Sequence, residues 1–187
     1  MRLKGDLTDH LIGDKWSFRI KVKNDDTIFG MKQFSLHHPR ARNYIYEWLF
    51  HKILKKEEVI SLRYDFINVS VNGNNLGIYA IEEHFEKRLI ENNRRKNGPI
   101  IRFNEDLMWD QNLQFNSKYS DVQLPGYGNY LSSNIDAFQT NVMLRDTTLY
   151  NNYLKAISLL ESFRQGELNT SDVFDLDLLS TFFAITD

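Results

Sequence analysis

The amino-acid sequence predicts an α+β protein in which a sheet-rich N-terminal region with one buried helix precedes a helical region. Residues 16–22 alternate apolar and polar side chains, which is typical of a half-buried strand. Residues 63–81 hold two apolar runs on either side of Asn72-Gly73, a dipeptide that favours a tight hairpin turn. Residues 146–165 carry apolar side chains at helical spacing. Strands followed by helices indicate the α+β class.

The elements of the N-terminal region follow in order from local patterns. After the strand at 16–22, residues 28–36 form a further strand, and Pro39 stands near the start of a helix predicted over residues 42–56. Apolar side chains cover most of that helix, so we expect it to be buried on more than one side. The hairpin strands are predicted at 63–71 and 76–81.

The rest of the chain divides at changes in composition. A charged helix is predicted over 84–96, and a short strand follows at 99–103. Residues 104–134 form an irregular insert rich in Asn, Ser, Asp and Gly, and so long a stretch without periodicity is typical of a functional loop or a disordered insert. From residue 135 the pattern is helical, and the last helix, over 176–186, is expected to be capped by Asp175.

Composition excludes several classes of protein. The 187 residues suit one domain, or one domain and a fragment, and 42% apolar residues with 13% aromatic are enough for a core. A formal net charge of −2 gives no reason to expect nucleic acid as a partner. The absence of cysteine excludes disulfides, thiolate metal sites and cysteine nucleophiles. No run of 18 apolar residues exists, so no transmembrane segment is predicted.

Two local groups of polar residues are candidates for chemistry. Glu82 and Glu83 end the second hairpin strand, but neighbouring residues on a strand point to opposite faces, so they cannot flank one bond as a glycosidase pair does. His37-His38 precedes Pro39, and no acid or third histidine follows at ligand spacing, so we interpret it as a loop and predict no metal site.

The hairpin also carries a family signature of the form Asn-Gly-x-x-x-Gly-x-Tyr-x-x-x-Glu. Here it is formed by Asn72-Gly73, Gly77, Tyr79 and Glu83. Other stretches that fit the same family lie at residues 2–6, 15–19, 29–36, 46–50, 98–103 and 173–177. On these residues the chain resembles the CotH kinase family of bacterial atypical protein kinases, which are similar to the spore coat protein H.

The resemblance implies a protein-kinase-like fold, and it gives the regions of the chain their expected roles. Residues 1–103 would be the nucleotide-covering lobe, with the helix at 84–96 as the linker, and residues 135–187 would begin a helical C-terminal lobe after the insert at 104–134. The family's catalytic and metal-binding acids are expected beyond Asp187. The chain is therefore expected to be a fragment with a truncated C-terminal lobe that cannot transfer phosphate alone.

The resemblance also implies an activity and its partners. The parent protein would use ATP and Mg²⁺ to phosphorylate Ser or Thr of a protein substrate. The alternative is a non-catalytic coat or cell-surface protein that uses the fold for binding and assembly, and the residues beyond Asp187 would discriminate between the two. An exported, cell-envelope or spore-coat location of the parent is in keeping with either, although the sequence fixes no compartment.

Six residues are candidates for nucleotide binding. Lys32 and Glu47 would be the ion pair that orients phosphates, and the alternative is that Glu47 forms a solvated pair with His51, four residues on. Lys15 and Arg19 would contact phosphates, or else line the solvent face of a strand. Near Glu82 and Glu83, backbone groups would hold adenine, and a glutamate would accept a hydrogen bond from ribose.

Overall fold

The structure, a computed structural model, describes residues 1–4, 15–104, 106 and 133–187 of the chain. These residues belong to two structural units. The first unit comprises Met1–Asn97 together with Asp175–Asp187, and the second comprises Gly98–Phe174.

The first unit is built on a five-stranded antiparallel sheet. Its strands are β1 (Arg2–Leu3), β2 (Phe18–Lys21), β3 (Gln33–His37), β4 (Tyr64–Val71) and β5 (Asn74–Glu83). Their order across the sheet is β1-β2-β3-β5-β4, and each neighbouring pair is antiparallel. Strand β4 therefore forms one edge of the sheet, and β5 lies inside it.

The predicted Asn-Gly turn joins β4 to β5. Asn72 and Gly73 have φ angles of 52° and 83°, in the left-handed region that a tight hairpin turn requires. The hairpin is longer than its sequence pattern indicates, because β5 begins directly after the turn and continues through Glu82 to Glu83. The extra residues carry two carboxylates into the sheet.

The two faces of the sheet differ in chemistry. One face, called here the apolar face, carries the core residues Met31, Phe34, Leu36, Val69, Tyr79 and Ile81. The opposite face, called here the polar face, carries Ser35, His37 and Glu82, which strand alternation places away from that core. Ser35 and His37 are buried. Buried polar side chains need partners, so the polar face has to be organised by hydrogen bonds and ion pairs.

A helix, α1 (Tyr46–Lys56), lies on the polar face after a short 3₁₀ turn at Pro39–Arg42. The ring of His51 stacks on the ring of Tyr64 with centroids 5.8 Å apart, which fixes the face that α1 covers. The expectation that this helix is buried on more than one side is wrong. Only His51 and Leu54 are buried, and Tyr46 is 70% exposed.

The outward position of apolar residues on α1 has a physical reason. The surface beneath the helix is polar, so the helix turns its polar stripe, with Glu47 and His51, towards the sheet. Apolar residues at other positions, such as Leu49 and Ile53, then keep 45% and 37% of their surface exposed.

The next helix, α2 (Lys87–Asn92), is shorter than the predicted range of 84–96. The side chain of Asn93 accepts a hydrogen bond from the backbone N–H of Ser61 and donates one to its carbonyl, both at 3.0 Å. Arg94 then takes a left-handed φ of 54°. The helix ends because Asn93 binds the connection between α1 and β4.

The second unit pairs β6 (Ile101–Phe103) with β7 (Ile135–Ala137) in an antiparallel sheet. Three helices follow in this unit: α3 (Thr140–Met143), α4 (Thr147–Arg164) and α5 (Thr170–Val173). Helix α4 is close to its predicted range, and Asp146 caps it by accepting from the backbone N–H of Leu149. Of the predicted insert, all but residues 104, 106, 133 and 134 lie outside the described residues.

The last helix, α6 (Leu176–Thr186), belongs to the first unit and contacts α1. As predicted, Asp175 caps it, and its carboxylate accepts from the backbone N–H of Leu178 at 3.1 Å. Across the described ranges, no helix is both long enough and apolar enough to cross a membrane.

The core tyrosine of the hairpin gives a test of this packing. Tyr79 is fully buried, and its hydroxyl has no hydrogen-bond partner among the described residues. An unpaired buried hydroxyl costs about 1–3 kcal/mol, so Tyr79→Phe is expected to raise the free energy of unfolding by about 1 kcal/mol. Urea unfolding measures this change, with the exposed Tyr46→Phe as the matched control. A less stable Tyr79→Phe variant would show that the hydroxyl has a partner.

Candidate functional site

The polar face of the sheet holds a buried ion pair between residues far apart in the sequence. Lys4 directly follows β1, and its Nζ donates to Oε2 of Glu82 on β5 at 2.8 Å. The two side chains are only 14% and 13% exposed. The same Glu82 oxygen lies 3.6 Å from Nδ1 of His37 on β3. Three strands thus bring one cation, one carboxylate and one imidazole together.

Further polar contacts continue from this pair to helix α1. His37 Nε2 lies 3.3 Å from the hydroxyl oxygen of Tyr64, whose ring stacks on His51. Nε2 of His51 lies 3.2 Å from Oε1 of Glu47. We call the connected residues the polar array, and they are Lys4, Glu82, His37, Tyr64, His51 and Glu47.

The carboxylates of the polar array have lowered pKa values. Burial alone would raise the pKa of Glu82, but the charge and the hydrogen bond of Lys4 outweigh it and leave the pKa below its usual value. The hydrogen bond from His51 is the largest cause that lowers the pKa of Glu47. Both groups are therefore carboxylate anions at neutral pH, and Glu82 holds the ammonium of Lys4 in place.

Neutral donors and further cations surround these anions. Burial, followed by the nearby charges of Glu47 and Glu82, raises the pKa of Tyr64, which keeps its hydroxyl protonated. Burial, and then the charges of Arg19 and Lys4, lower the pKa of His84. The polar face at this end therefore collects positive charge beside one buried carboxylate.

The expected ion pair between Lys32 and Glu47 is not formed. Lys32 Nζ instead donates to the carbonyl of Asn24 and lies 3.2 Å from a carboxylate oxygen of Asp25. Glu47 pairs with His51, which was the alternative interpretation. The physical reason is strand alternation, because Lys32 lies in register with Phe34 and Leu36 of the apolar face, whereas α1 covers the polar face.

Glu82 and Glu83 lie on opposite faces of the sheet. Glu83, only 2% exposed, accepts hydrogen bonds from the backbone N–H and the Nε of Arg63, both at 3.0 Å, and from a terminal guanidinium nitrogen. The same guanidinium donates to the carbonyl of Phe29 at 3.1 Å. Glu83 thus joins the start of β4 to the turn before β3, and its oxygens are occupied by Arg63.

The two predicted phosphate contacts occupy different places. Arg19 lies on β2 opposite Ser35 of β3, on the polar face. It is near Lys4, because the charges of both residues lower the pKa of His84. Lys15 Nζ donates to the carbonyl of Ile78 at 3.2 Å and lies 5.7 Å from the ring centroid of Tyr79. Of the six candidates, the structure brings together Arg19, Glu82 and Glu47 on one face.

Sequence reasoning missed several members of the polar array. His37 was assigned to a loop, but it is the last residue of β3, is 1% exposed and follows Ser35 on the polar face. Extending the predicted strand by one residue would have found it. Lys4 lies in the Arg2-Leu-Lys stretch that supported the family resemblance, yet nothing local in that stretch indicates its partner on β5.

The site combines two cations with a buried carboxylate and further polar groups. Lys4 and Arg19 supply positive charge, Tyr64 supplies a hydroxyl, and His37 supplies an imidazole. Within the described residues, no group of three or more histidine or acidic side chains is arranged to hold a metal ion. On the described polar face, positive charge, a hydroxyl and an imidazole thus lie beside a buried carboxylate.

Comparison with known proteins identifies the family. A family model described as CotH kinase protein matches residues 1–164, which include the whole polar array. The chain belongs to the CotH kinase family, as its motifs predicted. No curated protein and no solved structure matches the chain.

The ion pair is expected to matter for stability. Removing one partner of a buried ion pair leaves the other charge buried without a partner. Lys4→Met is therefore expected to lower the free energy of unfolding by about 3 kcal/mol. The double variant Lys4→Met with Glu82→Gln should recover most of this loss, because it leaves no buried charge. Denaturant unfolding of both variants checks this, and an equally unstable double variant would contradict the pairing.

The same pair sets a dependence of stability on pH. The pKa of Glu82 is lower in the folded chain than in the unfolded one. The stabilisation that Glu82 gives to the folded chain is therefore complete above the unfolded pKa of about 4.5, and it disappears as pH falls through the folded pKa. Glu82→Gln should therefore flatten the fall of unfolding free energy below that pH. The exposed Glu91→Gln is the control, and an unchanged slope in Glu82→Gln would contradict the assignment.

Proposed function

We propose that this chain provides the nucleotide-covering lobe of an ATP- and Mg²⁺-dependent kinase that phosphorylates Ser or Thr residues of proteins. The observation that carries this proposal is the buried Lys4–Glu82 pair, with Arg19 beside it on the polar face. Family membership supports a kinase-related function, and the positive charges of Lys4 and Arg19 support binding of an anion at this end of the polar face. Phosphoryl transfer relies mainly on positioning and on stabilisation of phosphate charge.

The architecture supports a protein-kinase-like fold for the first unit. Its antiparallel sheet has the order β1-β2-β3-β5-β4, and its helix α1 lies between the third and fourth strands in the chain. In protein kinases a strand lysine that is paired with a glutamate of a helix orients the phosphates. Here the lysine comes from the end of β1 and the carboxylate from β5, which replaces the Lys32–Glu47 arrangement in the proposal.

Lys4 and the candidate residues from the sequence analysis each have a proposed role in nucleotide binding or in shaping the lobe. Lys4 would contact nucleotide phosphates while Glu82 holds its ammonium, and Arg19 would add a second positive charge. Glu47 would act through His51 as a positioning residue. Lys15, Lys32 and Glu83 make contacts that hold strands and turns together, so their proposed role is to shape the lobe.

ATP supplies the phosphoryl group, and Mg²⁺ neutralises its phosphate charge. Mg²⁺ keeps several waters and is bound through phosphates and one or two carboxylates in sites of this kind. It would therefore arrive with the nucleotide, in keeping with a polar face that offers cations more than carboxylates.

A second candidate function is binding and assembly without catalysis, as in a coat or cell-surface protein. The specific observation that favours it is the outward apolar side of α1, where Tyr46, Leu49 and Ile53 remain exposed. Exposed apolar side chains grouped on one helix are a common feature of protein-binding surfaces. Nucleotide binding discriminates between the two candidates.

Binding of MgATP to the purified chain, measured by calorimetry, tests the proposed function. A charge-assisted hydrogen bond contributes about 1.5–3 kcal/mol, so losing the Lys4 contact should weaken binding about 10- to 100-fold. The double variant Lys4→Met with Glu82→Gln is the form to measure, because it leaves neither residue of the pair as an unpaired buried charge. The matched control is Lys56→Met, whose side chain is 82% exposed.

The possible results separate the candidates. Binding that requires Mg²⁺ and is lost in the double variant but kept in Lys56→Met supports the nucleotide site. Binding that is unchanged in the double variant would refute the role of Lys4. No MgATP binding by the unmodified chain would favour the non-catalytic function.

A further inference from the structure

The first unit contains a cavity beside the edge strand β4, and neither Lys4 nor Glu82 is among its described lining residues. Its volume is about 450 Å³, which is within the range of small-molecule sites. One side is formed by His51, Lys52 and Lys55 of α1, and the other by the chain from Ser61 to Ile67. Neither the family nor the proposed nucleotide site assigns a role to this cavity.

The charged groups that line the cavity are mostly positive. Lys52 and Lys55 lie three residues apart on α1, and within the described part of the chain Lys55 forms no ion pair. The charge of Arg63 is compensated by Glu83. Asp65 is the one acidic residue among the described lining residues, and its Oδ1 accepts from the backbone N–H of Phe66. The mouth of the cavity therefore favours an anion.

The remaining lining of the cavity is largely apolar. Residues of the sheet and of the preceding segment supply this part, and they are Phe29, Met31, Leu62, Phe66, Ile67 and Ile81. A ligand that fits must bury an apolar body here while it keeps a charged group at the lysines. A bare phosphate or sulfate would leave this apolar surface uncovered.

A buried polar atom adjoins the same cavity. His51 lines it and is only 7% exposed, and its Nδ1 has no hydrogen-bond partner in the described ranges. The other ring nitrogen faces Glu47, whose carboxylate favours a proton on that nitrogen. Because Nδ1 is buried from the cavity as well as from solvent, the ligand does not bind this atom, and the His51 ring acts as a wall of the site.

We propose that this cavity is a second ligand site, which binds a small amphipathic anion. The carboxylate or phosphate of the ligand contacts Lys52 and Lys55, and its apolar body packs against Leu62 and Phe66, which line the cavity on the face of the sheet that α1 covers. The ligand is thus an organic acid or a phosphate monoester with an apolar group of modest size. The site is separate from the proposed nucleotide contacts at Lys4 and Arg19, and it shares Tyr64 and His51 with the polar array.

Three matched probes test the charge and the apolar body. 3-Phenylpropionate carries both features, 3-phenylpropan-1-ol has the same body without charge, and phenyl phosphate exchanges the carboxylate for a phosphate. Each is titrated into the full chain and followed by NMR, with the His51 ring signals as the local reporter. We expect the acid to shift the His51 signals and to bind at least tenfold more tightly than the alcohol, and phenyl phosphate shows whether phosphate is preferred.

Charge reversal supplies a matched pair of variants. Lys55→Glu removes a cation that lines the cavity and forms no ion pair with the described residues, whereas Lys56→Glu changes its neighbour, which does not line the cavity. We expect Lys55→Glu to weaken binding of the acid at least tenfold and Lys56→Glu to change it less than twofold. Circular dichroism confirms that both variants are folded.

Three outcomes would overturn the proposal. Equal affinity for the acid and the alcohol would show that charge plays no part. Equal weakening by the two charge reversals would indicate attraction to the general surface of α1. Binding of the probes without any change in the His51 signals would place them elsewhere, such as on the exposed apolar residues of that helix.

Discussion

Glu82 lies on an interior strand of the sheet, and burying its carboxylate requires a cation close by. Lys4 supplies that cation from the opposite edge of the sheet, so the edge strand β1, which among the described strands is hydrogen-bonded only to β2, is also connected to β5 by an ion pair on the polar face. A carboxylate without this partner would lose its charge or destabilise the fold. The composition of the polar face, the position of His37 and the orientation of α1 all follow from this buried charge.

The orientation of α1 illustrates why a buried charge reorganises its neighbours. Binary patterning assumes that the apolar side of a helix faces inward, and the sequence of α1 offers a nearly continuous apolar surface. The sheet face beneath it carries Glu82, His37 and Tyr64, so the polar stripe of the helix makes the better partner. Glu47 and His51 are satisfied there, and apolar residues of α1 remain available for contact with α6 or with another protein.

Local signals predicted the local parts of the structure. Asn72-Gly73 located the hairpin, and Asp175 located the start of the last helix, because turn and cap chemistry involves residues within three or four positions of each other. The Lys4–Glu82 contact joins residues 78 positions apart, and no pattern in either segment specifies the other. The alternation of side chains along a strand correctly predicted that Glu82 and Glu83 lie on opposite faces of the sheet. It also placed Lys32 with Phe34 and Leu36, but only the structure shows that α1 covers the opposite face.

The polar array gives the first unit a physical connection between two surfaces. Lys4 and Glu82 stand at one end, and His51, at the other, forms part of the cavity wall beside β4. Between them, His37 and Tyr64 are held by contacts of 3.6 Å and 3.3 Å, so a shift of one ring must be accommodated by the next. Close packing makes such chains of side chains stiff. The residues that satisfy one buried carboxylate therefore also fix the geometry of a cavity that lies outside the proposed nucleotide site.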